Sequence, residues 1–195
     1  MVLSVKEMIS RYYNNSSHPD EVRRLCMLIF DEITEKVKEL PNNCRKYLEA
    51  AALLHDIGYY IDSKKHNIQS QRLIIENELK DFTTRETEII ACICRYHRGS
   101  LPKKKKDEIY KNFTKEERKI VKQLGGILRI ADGIDRAHLN LIKKVKLNFD
   151  ENNRIIEFIL ITNNPEYKPD ITYAIKKREL FEKGFKCQCV FKFQM

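Results

Sequence analysis

The sequence predicts a mainly α fold, a helical bundle followed by a small antiparallel α+β appendage. Apolar residues recur at helical spacing from the N-terminal region to about Leu141, and capping residues separate the helical segments. Beyond Leu141 apolar and polar residues alternate, which is typical of strands. We therefore expect the bundle to occupy residues 1–142 and the appendage residues 143–195, packed on the bundle.

The bundle is expected to contain five helices. Ser16, Ser17 and Pro19 supply a cap and a first turn for a helix that ends near Leu40. The next helices are expected at 44–57, 66–80, 84–96 and 115–139. Two of them open with a Thr-x-x-Glu pattern, a typical capping box.

The appendage is expected to begin with a hairpin of strands 145–149 and 155–161. A helix at 171–183 and a strand at 185–193 follow. One sheet face carries four phenylalanines, Phe149, Phe158, Phe191 and Phe193. If that face stays uncovered, it offers a surface for a homodimer.

The charge balance favours an anionic partner. The chain has 37 Lys and Arg against 28 Asp and Glu, a formal net charge of +9. No stretch has the length of a membrane span, and the N-terminal residues include Lys6 and Glu7 where a signal peptide needs apolar ones. We expect a cytoplasmic protein without a membrane partner. A nucleic-acid partner is disfavoured because it would rest on net charge alone.

His55 and Asp56 directly follow the apolar run at 50–54. Two polar groups buried there need a compensating partner, and a cation is one such partner. The alternative is a helix end that exposes both side chains to water before Gly58. The dipeptide alone does not decide between the two.

Other polar residues share the buried faces of their helices. His97 follows Ile93 by four residues, and Asp132 follows Leu128 by four. A single histidine at such a position is more often an ordinary core residue, but several together indicate a shared site. Imidazole and carboxylate ligands suit Fe, Mn, Co, Ni or Zn. The residues expected to converge are His18, His55, Asp56, His66, His97 and Asp132.

The series His18, His55-Asp56 and Asp132 resembles the signature of HD-domain phosphohydrolases. Longer segments are similar to the C-terminal HD-like region of the exopolyphosphatase and guanosine pentaphosphate phosphohydrolase family. These are AALLHDIG at 51–58, RYHR at 95–98, LRIADGIDRAH at 128–138 and KRELFE at 177–182. We expect this chain to carry that region alone, without the actin-like ATPase-fold half that supplies the polyphosphate active site in full-length members.

The resemblance implies a divalent metal, Mn, Fe, Co, Ni, Zn or Mg, on His18, His55, Asp56 and Asp132. If His66 and His97 bind a second ion, Asp56 is the natural bridging carboxylate. If they do not, His97 is a candidate general acid. Asp56 and His97 are therefore the catalytic candidates.

Three arginines lie close in sequence to the candidate ligands. Guanidinium groups suit phosphate oxygens, so Arg98, Arg129 and Arg136 are candidate phosphate-binding residues. Each could equally be a surface or salt-bridging residue.

These features predict a metal-dependent phosphohydrolase that acts on a nucleotide, or on another phosphorylated or polyphosphate substrate, through a metal-activated water. The alternative is a module that binds polyphosphate or a nucleotide without hydrolysing it, since this region is accessory in the relatives. The expected partner is in either case an anionic phosphorylated molecule.

Overall fold

A computed structural model describes residues 2–13, 17–164 and 166–194, so Ser16 lies outside the described residues. A helical bundle is followed by a three-stranded sheet, which confirms the mainly α fold with a small appendage. None of the described helices has the length and apolar character that crossing a membrane needs. The helices are α1 Val5–Tyr12, α2 His18–Lys36, α3 Asn43–Leu54, α4 His66–Asn77, α5 Thr84–Arg95, α6 Glu108–Lys111, α7 Lys115–Ile134, α8 Thr172–Lys177 and α9 Glu179–Phe185, with 3-10 turns at Ile57–Tyr60 and Lys104–Lys106.

Capping residues set several helix starts as the sequence predicts. Thr83 caps α5 and Thr114 caps α7, each in a full capping box. The sequence prediction missed α1, whose eight residues also begin with a capping box, at Ser4. Helix α7 ends at Ile134 rather than near residue 139, and His138 and Asn140 beyond it adopt positive φ angles of 55° and 51°.

The sheet corrects one prediction. Strands β1 Ile142–Asp150 and β2 Ile155–Thr162 form the expected antiparallel hairpin, but β3 Gln188–Gln194 pairs with β2 in parallel. The appendage is therefore not wholly antiparallel. A parallel pair needs a long crossover, and the segment with α8 and α9 supplies it.

The crossover helices cover part of the phenylalanine face. Phe158 is fully buried and its ring lies 5.3 Å from that of Phe181 in α9. Phe149, Phe191 and Phe193 are partly buried against the same core. This core runs without interruption from α1 to β3, so the helices α8 and α9 are fixed against α7.

Candidate metal centre

Six buried polar residues meet where several helices begin or end. His18 is the first residue of α2, and His66 is the first residue of α4. His55 and Asp56 follow α3, His97 follows α5, and Asp132 lies in the last turn of α7. All six residues are at most 7% exposed. The structure thus brings together the whole set that the helical spacing indicated.

Asp56 lies at the centre of this cluster. Its Oδ2 is 3.4 Å from His55 Nε2 and 4.0 Å from His18 Nε2. Its Oδ1 is 3.2 Å from His66 Nε2 and 3.6 Å from His97 Nε2. The two carboxylate oxygens therefore face two different pairs of imidazoles.

Two of these distances, 3.2 and 3.4 Å, match those between neighbouring ligands of one metal ion, and the other two, 3.6 and 4.0 Å, are longer. Ligands about 2.1 Å from a metal lie about 3.0 to 3.4 Å apart. Two groups meet the spacing for an ion, His18 with His55 and Asp56, and Asp56 with His66 and His97. Asp132 Oδ1 lies 3.5 Å from His18 Nε2, so it borders the first group.

The other ring nitrogen of each histidine is already engaged. Nδ1 of His55, His66 and His97 donates to the carbonyl three residues earlier, at 2.7, 2.8 and 2.6 Å. Nδ1 of His18 donates to Asp135 Oδ2 at 2.8 Å. Hydrogen bonds of this kind fix the tautomer and orientation of metal-binding histidines. All four Nε2 atoms are left facing the cluster.

His55 supplies the clearest sign that a cation fits here. Its Nε2 is buried and has no hydrogen-bond partner among the described residues. Leaving a buried polar atom unpaired costs about 1 to 3 kcal/mol. A metal ion at this position would satisfy that atom, and its imidazole and carboxylate neighbours are suitable ligands.

The pKa shifts give His97 and Asp132, but not His18, the protonation state that a metal ligand needs. Burial, with the neighbouring His55, lowers the pKa of His97 to about 3, so its imidazole is neutral. Burial would raise the pKa of Asp132, but hydrogen bonding from His18 and the charge of Lys177 hold it well below its usual range. Burial lowers the pKa of His18, but hydrogen bonds to Asp132 and Asp135 outweigh this and raise it to about 9. The Asp132 carboxylate is thus ionised near neutral pH.

A close helix contact shapes one side of the centre. The 3-10 turn after Asp56 is pressed onto α4, where a Cβ on Gly58 would lie 2.0 Å from the His66 carbonyl oxygen. The Gly58 amide donates to Ser70 Oγ at 2.9 Å. Only glycine permits this approach, which brings Asp56 within reach of His66.

Lys177 is a site residue that the sequence analysis did not identify. It comes from α8, and its ammonium group donates to Asp132 Oδ2. A Cβ on Gly133 would lie 2.5 Å from the Ala174 amide nitrogen, so the absent side chain lets α8 rest on α7. A glycine inside a helix beside Asp132 was the available signal for this contact.

Asp135 and His138 contact His18 and were not among the predicted site residues. Asp135 accepts the Nδ1 hydrogen of His18 and also accepts from the Asn140 amide at 3.2 Å. The His138 ring stacks on that of His18, with centroids 3.9 Å apart. Both residues therefore hold His18 in place.

The three arginines separate into two kinds. Arg98 and Arg136 line the pocket above the cluster, and Arg98 Nη1 lies 3.1 and 3.2 Å from the two ring nitrogens of His66. Arg129 is 4% exposed and donates to the carbonyls of Tyr96, Gly99 and Ser100. Arg98 and Arg136 therefore lie at the pocket, whereas the Arg129 guanidinium is used in hydrogen bonds to the backbone after α5.

The pocket has a volume of about 650 Å³, within the usual range for small-molecule sites. Its lining includes His18, Asp56, His66, His97 and Asp132. A ligand in this pocket would meet the cluster together with the cationic side chains of Arg98, Arg136 and Lys177.

Comparison with known proteins identifies the family of this chain. Residues 2–169 match the family described as Ppx/GppA phosphatase, domain III. A 100-residue stretch is 26% identical to the guanosine-5'-triphosphate,3'-diphosphate pyrophosphatase of Pseudoalteromonas translucida (strain TAC 125). That stretch covers 51% of this chain and 20% of the relative, so only about a fifth of the relative is matched. The chain belongs to the Ppx/GppA phosphatase domain III family.

Proposed function

We propose that this chain is a metal-dependent phosphohydrolase of the HD-domain type, acting on a nucleotide or another phosphorylated substrate. The observation that carries the proposal is the position of Asp56, whose two oxygens each face a pair of histidine Nε2 atoms. A carboxylate shared in this way is suited to bridging two divalent ions. The family relation supports a phosphatase role.

The proposed ligands are His18, His55, Asp56 and Asp132 for one ion, and Asp56, His66 and His97 for a second. A bound divalent metal lowers the pKa of water towards neutrality and offsets charge that builds on the phosphoryl group. We assign His97 to the second ion rather than to the general-acid role, because its Nε2 lies 3.3 Å from His66 Nε2 and faces Asp56.

The remaining pocket residues bind and orient the substrate. Arg98 and Arg136 can donate to phosphate oxygens, and a guanidinium group does so in two parallel bonds. Lys177 adds a third positive charge at Asp132. Asp135 keeps His18 in the orientation in which Nε2 faces Asp132.

The test is phosphate release by the full chain from a nucleoside triphosphate and from inorganic tripolyphosphate, with added Mn²⁺ and with a chelator. We expect release that requires the metal and is lost in the His55→Ala variant. Release that continues in the chelator would contradict the proposal. Metal-dependent binding without release would instead support the binding-module alternative.

A further inference from the structure

The wall of the pocket is unusually rich in tyrosine. Five of the nine tyrosines in the chain line it, and they come from α1 and the residue after it, the 3-10 turn and α8. They are Tyr12, Tyr13, Tyr59, Tyr60 and Tyr173. Three of them are well exposed, Tyr60 at 67%, Tyr59 at 45% and Tyr173 at 43%. Exposed apolar surface gathered at one concave site marks a binding surface more often than chance exposure does.

The rings are held in place before any ligand arrives. Tyr59 stacks on the His66 ring with centroids 3.9 Å apart, and Tyr60 packs edge-on against Tyr12 at 5.4 Å. The turn that carries Tyr59 and Tyr60 begins with buried Ile57 and Gly58. Ordering these side chains on binding therefore costs little conformational entropy.

The tyrosine wall, Tyr12, Tyr59, Tyr60 and Tyr173, lies in the same pocket as three cationic side chains. The Arg136 guanidinium lies 4.9 Å from the centroid of the Tyr173 ring, so positive charge and aromatic surface meet directly. A ligand that uses the whole pocket carries anionic groups and a flat aromatic group. Inorganic polyphosphate has only the first of these.

We propose that the pocket binds a nucleotide, with its phosphates towards the His/Asp cluster and its base against the tyrosine wall at Tyr60. The phosphate half of this inference rests on the function proposed above. The base half rests on the tyrosines alone. Stacking of a base on one aromatic side chain changes affinity about tenfold.

The test compares ligands that differ only in the nucleoside. The affinities of the full chain for ATP, GTP and inorganic tripolyphosphate are measured by calorimetry with Mn²⁺ at low temperature, and phosphate release is followed in the same samples. We expect at least one nucleotide to bind about tenfold more tightly than tripolyphosphate.

Variants of Tyr60 locate the base. Tyr60→Ala should weaken that nucleotide about tenfold and leave tripolyphosphate binding unchanged, whereas Tyr60→Phe should retain the preference. Tyr167→Ala is the matched control, because Tyr167 is 48% exposed and does not line the pocket. It should alter neither affinity.

Three results would overturn the base site. The first is equal affinity for nucleotides and tripolyphosphate, and the second is an absence of nucleotide binding. The third is an equal loss of affinity for both ligands in Tyr60→Ala. The release assay separates this failure from that of the proposed function. Metal-dependent release from both ligands without any effect of Tyr60 would reject only the base site. Base-dependent binding without release would support the base site and reject the hydrolase.

Discussion

Two buried carboxylates in this bundle, Asp56 and Asp107, have opposite surroundings although both contact residues of α4 and the segment after α5. Asp107 Oδ2 accepts from the Tyr96 hydroxyl at 2.9 Å and the Gln71 amide at 3.2 Å, with Arg95 Nε also 3.2 Å away. Its Oδ1 accepts two backbone amide hydrogens at the start of α6. Every oxygen of Asp107 is thus paired with a proton donor.

Asp56 has no comparable set of donors among the described residues. Its near neighbours are histidine nitrogens, and one of them, His55 Nε2, is itself unpaired. Asp132 adds a second carboxylate, whose Oδ1 lies 3.5 Å from His18 Nε2 and 4.0 Å from His55 Nε2. A buried carboxylate that is fully hydrogen-bonded stabilises the fold, whereas one surrounded by histidine nitrogens is suited to sharing a cation with them. The two sites therefore predict different responses to the same substitution.

The largest expected contrast is between Asp56→Ala and Asp107→Ala. Asp56→Ala should abolish metal binding and phosphate release, because one oxygen is lost from each candidate ion site. Asp107→Ala should keep the metal but lower the free energy of unfolding by about 3 kcal/mol, because its buried donors lose their acceptor. Metal analysis and denaturant unfolding measure the two effects. If Asp56→Ala kept its metal, the predicted difference between Asp56 and Asp107 would be wrong.

The bridging role of Asp56 predicts a stepwise loss of metal. His66→Ala removes a ligand from the second group only, so the metal content should fall from two ions per chain to one. Elemental analysis of the dialysed protein measures this. A content that stays at two ions would show that His66 is not a ligand.

Helical spacing could predict the Asp56 cluster because each member lies within a helix, or at most two residues beyond its end, and continues the buried face of that helix. His97 after Ile93 and Asp132 after Leu128 are local patterns. Lys177 could not be found in this way, because it reaches Asp132 only after α8 packs across Gly133. The parallel pairing of β3 depends in the same way on tertiary packing of α8 and α9.

A smaller contrast separates Arg136 from Arg129. Arg136 is exposed at the pocket, so Arg136→Ala should raise the KM of the substrate about tenfold and leave the melting temperature unchanged. Arg129→Ala should instead lower the free energy of unfolding by about 2 kcal/mol, because three carbonyls lose their donor. Steady-state kinetics and thermal unfolding distinguish them. An unchanged KM in Arg136→Ala would show that Arg136 has a structural role and not a substrate-binding one.

The smallest expected effect concerns Lys177, whose ammonium group competes with a metal for Asp132. Lys177→Met should tighten metal binding about threefold to tenfold, since it removes a positive charge beside the cation site. It should also weaken substrate binding, so the two affinities move in opposite directions. The neighbouring exposed Lys176 supplies the control, because Lys176→Met should change neither affinity. Weaker metal binding in Lys177→Met would contradict the competition.

The direct test of metal binding by the Asp56 cluster is titration of the chelator-treated full chain with Mn²⁺, alongside the same titration of His55→Ala. We expect two ions per chain for the unaltered protein, from the two groups that share Asp56, and loss of at least one of them in the variant. An unaltered protein that takes up no metal, or a variant that binds as much as the parent, would contradict this expectation.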